Sequence, residues 1–447
     1  MKKIIYAVSL LMLFAACKKE ITKVEEVNPV VTDEMMASAV IYEANIRQYS
    51  PEGTFQAFTK DIPMLKEMGV DIIWLMPIHE IGVKNRKGGL GSYYSIKDYR
   101  SVNHEFGTIE DFKNLVKTAH ENGMYVILDW VANHTAWDHA WVTEHPDYYT
   151  KDEKGNMIAP FDWTDVAELD YTNETLRSAM IEDMKYWVAE LNVDGFRCDV
   201  AAEVPTDFWE RASSDLQQIK PLFMLAEAEK PELLKKAFHM QYAWEGHHIF
   251  NQLAQGKKKV TEFDAYIAKM DTVLEKDDIM MHFVSNHDEN SWNGTVKERM
   301  GESVELFMAL SYTAPGMPLI YSGEEYDMDK RLRFFEKDTI SKEKGKLFDI
   351  YKQLNTLKKS TKALHTGKNK ADYVRLQTNN NEDVLAFLRE KEGDKLLFVG
   401  NFTAKEMDVL VDTEGIFKNY MTNNKEELTK TTPIKLKAWE YKILVNK

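Results

Sequence analysis

Four short apolar runs of this chain end in residues able to do acid, base or ion-pair chemistry: Leu128-Asp129-Trp130-Val131-Ala132-Asn133-His134, Gly195-Phe196-Arg197-Cys198-Asp199-Val200, Met224-Leu225-Ala226-Glu227 and Phe283-Val284-Ser285-Asn286-His287-Asp288. A carboxylate at the end of a buried strand is costly unless it is paired or used. A single case is commonly a turn former. Four in order are expected where several strand ends converge on one site. Asp199, Glu227 and Asp288 stand out. Paired carboxylates in a cleft suit cleavage of a glycosidic bond: one protonates the leaving oxygen, and the other attacks the anomeric carbon or activates water. Arg197 lies two residues before Asp199, so both side chains share a strand face. A fixed cation there is expected to keep Asp199 ionised, whereas Glu227 must carry a proton and so needs a raised pKa. His134 and His287 can donate hydrogen bonds to hydroxyl groups.

Such convergence requires a scaffold. From residue 37 onward, β-rich apolar runs at 39–45, 71–77, 125–131, 195–200, 223–228, 247–251, 282–286 and 318–322 alternate with amphipathic stretches such as 108–122, 173–191 and 303–312. Strand–helix alternation reads as a parallel sheet. Eight strands favour a closed (β/α)8 TIM barrel, an α/β fold, over residues 37–365. Residues 135–170 are rich in Trp, Tyr, Pro and Gly without helical period, and a loop of that length is usually functional; it is expected to form an excursion over the barrel mouth. From 366 to 447 the pattern changes to short alternating runs at 373–377, 383–389, 395–401, 406–411 and 434–445, separated by turn residues. These predict a C-terminal antiparallel β-sandwich domain.

Bulk properties narrow the partners. A net charge of −15 over 447 residues argues against nucleic acid, which needs a basic surface, and reads most simply as solubility. Lys2 and Lys3 precede an apolar run, 4–14, that ends in Ala15-Ala16-Cys17. The run is too short for a stable membrane anchor and has the three parts of an export signal. Residues 14–17 resemble the lipobox of bacterial lipoproteins. That resemblance implies a signal peptide at 1–16, a lipidated Cys17, a polar tether over 17–36 and a location on a bacterial membrane, with the lipid as the only membrane contact. The one other cysteine, Cys198, then lacks a disulfide partner, and the protein must rely on its core.

With these segments in view, nearly all of residues 37–447 resembles the α-amylase family, glycoside hydrolase family 13. Residues 129–134 are similar to its first sequence region. Residues 195–199 resemble the second, where the Asp is the nucleophile, and 226–227 the third, where the Glu is general acid and base. Residues 286–288 resemble the fourth, where the Asp stabilises the transition state. Gly91-Ser92-Tyr93-Tyr94-Ser95-Ile96-Lys97-Asp98-Tyr99 resembles the substrate-stacking segment, with Tyr94 as platform, and 316–325 the last-strand region. The resemblance implies a retaining hydrolase of α-1,4-glucosidic bonds in starch, glycogen or malto-oligosaccharides. Asp199, Glu227 and Asp288 would be catalytic; Tyr94, His134, Arg197 and His287 would bind the α-glucan. A cyclomaltodextrinase, neopullulanase or transglycosylase is the alternative, since Ala202-Glu203 stands where many α-amylases have Lys-His. A non-catalytic glucan-binding protein is the alternative of another class, opposed by the complete acid set. No cofactor is required. Asn133 matches one family calcium ligand and is the sole calcium candidate, because the His that would supply another is Glu203 here.

Overall fold

The computed structural model describes residues 28–446. The signal peptide, Cys17 and the first part of the tether lie outside the described residues. Eight parallel strands close in chain order: β1 (Ile41–Ala44), β2 (Ile72–Leu75), β3 (Tyr125–Trp130), β4 (Gly195–Cys198), β5 (Phe223–Ala226), β6 (Met240–Tyr242), β7 (Ile279–His282) and β8 (Met317–Tyr321), with β8 pairing back onto β1. Their residues are buried on both faces, as expected for strands with helices outside and a filled barrel inside.

The period of two along each strand sorts this interior into layers. Ile41, Ile127 and Leu225 belong to the apolar plug inside the barrel, with Ile72, Trp74, Met281 and Leu319. Two residues further on, the same inward faces carry Glu43, Asp129 and Glu227. The charged layer therefore sits directly above the plug, at the C-terminal ends of the strands. Gly195 opens β4 at φ +153, and a Cβ there would lie 1.8 Å from the Phe223 carbonyl oxygen, so only glycine lets β4 close against β5.

The outer helices follow their local signals. Ile109–Glu121 starts at a capping box between Thr108 and Asp111. Glu174–Ala189 is capped by the Asn173 side chain, and Val304–Thr313 is buried along its whole length except at its start. The excursion after β3 is held by an antiparallel pair, His134–Ala136 with Val166–Glu168.

Several expectations are corrected. The strand expected at 282–286 runs instead from Ile279 to His282. The strand expected at 247–251 is part of a helix, Trp244–Ala254, and the sixth strand is Met240–Tyr242. A five-residue apolar run does not separate strand from helix, and β6 is short with Gln241 at its centre. The tether expected to reach residue 36 ends earlier. Thr32 caps a helix, Asp33–Ser38, and Val31 and Met36 join the core under the barrel. Fewer than two turns of helix leave no readable period.

The C-terminal domain has β9 (Asp372–Arg375), β10 (Val384–Lys391), β11 (Asp394–Asn401), β12 (Met407–Val409), β13 (Gly415–Asn419), β14 (Lys425–Leu428), β15 (Ile434–Leu436) and β16 (Tyr441–Val445). They form a sheet ordered β9-β10-β11-β16-β13-β14 and a second pair, β12-β15, enclosing Val384, Ala386, Leu397, Val409 and Leu436. Among the described residues no helix is long and apolar enough to cross a membrane.

Candidate active site

Arg197 is the hub of the charged layer. It is fully buried, and its Nη1 donates to Asp129 Oδ1 at 2.6 Å and to Asp199 Oδ1 at 3.0 Å. Its Nη2 lies 2.8 Å from Glu227 Oε2, and its Nε donates to the Tyr242 hydroxyl at 3.2 Å. The guanidinium carbon sits 5.0 Å from the centroid of the Trp74 ring. One cation from β4 thus bridges acids at the ends of β3, β4 and β5. The backbone adjusts to this arrangement. Val200 takes a left-handed conformation, φ 35 and ψ 48, costly for a β-branched residue, and its N–H donates to Glu227 Oε2 at 2.8 Å.

The opposite wall comes from β1, β2 and β7. His287 Nδ1 lies 2.5 Å from Glu43 Oε1, and its Nε2 lies 2.8 Å from the Tyr94 hydroxyl and 3.2 Å from Asp288 Oδ2. Tyr94 also donates to Asp129 Oδ2 at 3.1 Å, as does Trp74 Nε1. The Tyr94 ring stacks on His287 at 5.5 Å. Its phenol edge is therefore fixed by polar partners while the ring borders the cleft, as a sugar platform requires. Asp288 is 34% exposed and faces the cleft. His134 lines the same cleft beside Trp163.

Burial governs the titration of the cluster. It pushes the Asp199 carboxyl well above the usual carboxylate range, with Arg197 opposing and the charges of Glu227, Asp129 and Asp288 adding to the rise. Glu227 is raised by burial and by Asp288, again against Arg197. Asp129 is raised by burial against Arg197. The rise at Glu227 was expected; that at Asp199 was not, because Arg197 is shared among three carboxylates and cannot neutralise them all. The group takes up and releases protons as a unit. Burial lowers the His134 pKa to about 4, leaving a neutral ring at pH 7. For His287, burial favours the neutral ring, but Asp288 and Glu43 outweigh it and raise the pKa to about 9.

That last shift gives a stability prediction. With a folded pKa of about 9 against 6.5 for a free imidazole, the His287 contribution is complete below pH 6.5 and is lost as pH rises to 9. Urea denaturation is expected to show a loss of roughly 3 kcal/mol across that window. In His287→Asn the slope should be smaller by about that amount, the remainder belonging to buried groups such as Glu324 and Glu325, whose pKa values are raised to about 8 and about 7; equal slopes in both proteins would refute the ion pair.

The site residues read from the sequence come together. Tyr94, His134, Asp199, Glu227, His287 and Asp288 all line one cleft of about 620 Å³, with Arg197 beneath it. Sequence reasoning missed Glu43, Trp74 and Tyr242 as supports of this layer. Their one signal is a polar or polar-tipped residue on the inward face of a barrel strand. It also missed the aromatic wall of Trp292, Phe334 and Phe335; Trp163, which lines the cleft too, belongs to the excursion expected over the mouth. Cys198 is buried with a free thiol.

The Asn133 side-chain nitrogen lies 3.3 Å from His134 Nδ1, and the Asn133 backbone carbonyl accepts from the Leu169 N–H. Glu203 is exposed. Among the described residues no group of three or more His, Cys, Asp or Glu is placed to hold a metal ion, whereas calcium takes six to eight oxygens.

Comparison with known proteins follows the same lines. The family described as "Alpha amylase, catalytic domain" matches residues 32–168 and 160–394. An α-amylase of Dictyoglomus thermophilum is 26% identical over 475 residues, covering 88% of this chain and 91% of that protein. The α-amylase MalA of Haloarcula japonica is 26% identical over 389 residues; the match covers 83% of this chain but only 56% of that longer protein. The crystal structure of a noncanonic maltogenic α-amylase from Thermotoga neapolitana superposes with a TM-score of 0.84 at 33% identity, covering 91% of this chain and 98% of that one.

Proposed function

The chain belongs to the α-amylase family, and from that premise we propose that it is an exported, lipid-anchored hydrolase that cleaves α-1,4-glucosidic bonds with retention of configuration. The observation that carries the chemistry is the bridging of Asp199 and Glu227 by one buried guanidinium. The bridge fixes a nucleophile and an acid around the same reacting carbon.

The working form is the one in which the cluster's proton sits on Glu227 and Asp199 is ionised, held so by the Arg197 Nη1 donor at 3.0 Å against the burial that raises its pKa. Tyr94 stacks under the sugar ring, and His287 and Asp288 hold its hydroxyls. Asp199 attacks the anomeric carbon while Glu227 gives its proton to the departing glycosidic oxygen. Water then enters, Glu227 takes a proton from it, and the bond to Asp199 breaks as the new C–O bond forms. The positive charge that develops on the ring meets Asp288 and the carboxylates around Arg197.

Separate incubations with starch, pullulan, cyclodextrin and maltotriose test the reading. Starch should be the preferred substrate; a preference for the ring or for pullulan would move the protein to the cyclomaltodextrinase or neopullulanase reading. Basic start, apolar run and Ala15-Ala16-Cys17 support export and lipid attachment. The same assay on fractionated cells should find the activity with the membranes and, in Cys17→Ala, in the soluble fraction.

A further inference from the structure

Because Glu227 follows β5, the leaving group departs over the β5 side of the mouth. In the closed ring the strand opposite β5 is β1, flanked by β8 and β2. The part of a glucan that stays attached to the reacting ring, its non-reducing side, therefore runs toward the loops after β8, β1 and β2. These three loops are laced together. Arg47, after β1, donates to the carbonyls of Gly91 and Leu90 at 3.0 and 3.2 Å. Gln48 donates to the carbonyls of Arg333 and Glu336, both at 2.8 Å. Both side chains are buried. The Leu90 N–H donates to the Phe335 carbonyl at 2.9 Å, and the Gly89 N–H to Glu336 Oε1 at 2.6 Å.

The glycines of the β2 loop permit this approach. Gly88 has φ +66, and a Cβ there would sit 2.3 Å from the Phe335 Cβ. Phe334 and Phe335 face the cleft from the laced side, the Phe334 ring 6.3 Å from Tyr94. Lys87, in the same glycine-rich loop, reaches across to pair with Asp165 of the excursion at 3.1 Å, and both residues line the cleft.

We propose that this laced wall closes the non-reducing end of the cleft, so that the enzyme works from chain ends and releases a short product of fixed length. An internal stretch of glucan needs a cleft open at both ends, whereas a dead end accepts only a terminus. The inference rests on the hydrolase reading above and specifies its mode of attack.

The test compares 4-nitrophenyl maltoheptaoside with the same compound carrying a 4,6-O-ethylidene group on its non-reducing terminal ring, products being followed by chromatography. The blocked compound should be cut about a hundredfold more slowly, and amylose should give one short product from the first minutes. Equal rates, or an early ladder of products, overturn end-wise action while leaving the hydrolase reading intact. Failure to cut either compound removes that reading and this inference with it. Phe335→Ala trims the wall and should raise the blocked-to-unblocked rate ratio about tenfold; an unchanged ratio overturns the role of the wall. The ratio is internal to each protein, so partial misfolding does not disturb it.

Discussion

Asp199→Ala is expected to lower turnover of starch by about 10⁴-fold or more, and Glu227→Ala by about 10²–10⁴-fold, and the two losses should respond differently to chemistry. With Glu227 as the proposed proton donor, its variant should keep much of its activity toward an α-maltosyl fluoride, whose leaving group needs no proton. Azide should then accelerate that variant by attacking the sugar bound to Asp199, giving the α-azide. In Asp199→Ala the vacated space lets azide attack the substrate directly from the other face, giving the β-azide. The anomeric configuration read by NMR separates the roles, because each follows from the face on which each carboxyl stands. Product azides of like configuration from both variants would break the assignment.

Arg197→Met is expected to destabilise the fold by about 3–5 kcal/mol, the largest effect on stability in the site. Asp129 has no exposed surface, and its partners are Arg197, Trp74 and Tyr94. Removing the guanidinium leaves an uncompensated carboxylate there, beside Asp199 and Glu227. The pH dependence has a definite sign. Without Arg197 the folded-state pKa of Asp129, already raised by burial, rises further above its unfolded value. Such a group stabilises the fold in acid and loses that contribution as pH rises through the folded pKa. The deficit of Arg197→Met should therefore be smallest in acid and grow toward neutrality. The double variant Arg197→Met/Asp129→Asn should recover a large part of it, since removal of both partners leaves no orphaned charge. Urea titrations over a range of pH measure both.

Much of the site was legible because its chemistry lies in contiguous strand ends. The inward period of two placed Arg197 with Asp199, and the order of the strands brought Glu227 and Asp288 to the same mouth. What stayed hidden depends on contacts between distant segments. Glu43 in the β1 run matters only because His287, from β7, packs against it. Phe334 and Phe335 lie in a polar loop with no period, and their place at the cleft follows from Gln48 and Leu90. The titration of Asp199 could not be read from Arg197 alone, since the number of acids sharing that cation is a property of the closed ring. β6, with three residues, and the helix at 33–38, with six, each span fewer than two periods, too few to announce them.

In the proposed mechanism Asp199 bonds to the sugar while Glu227 manages the proton. Incubation with a 5-fluoro-α-glucosyl fluoride, whose intermediate forms faster than it is hydrolysed, followed by mass spectrometry of the digested protein, tests it most directly. A glycosyl adduct on the peptide at Asp199, absent from Asp199→Asn, is the predicted result; an adduct on Glu227 or Asp288, or starch cleaved to β-configured products with no adduct, would contradict it.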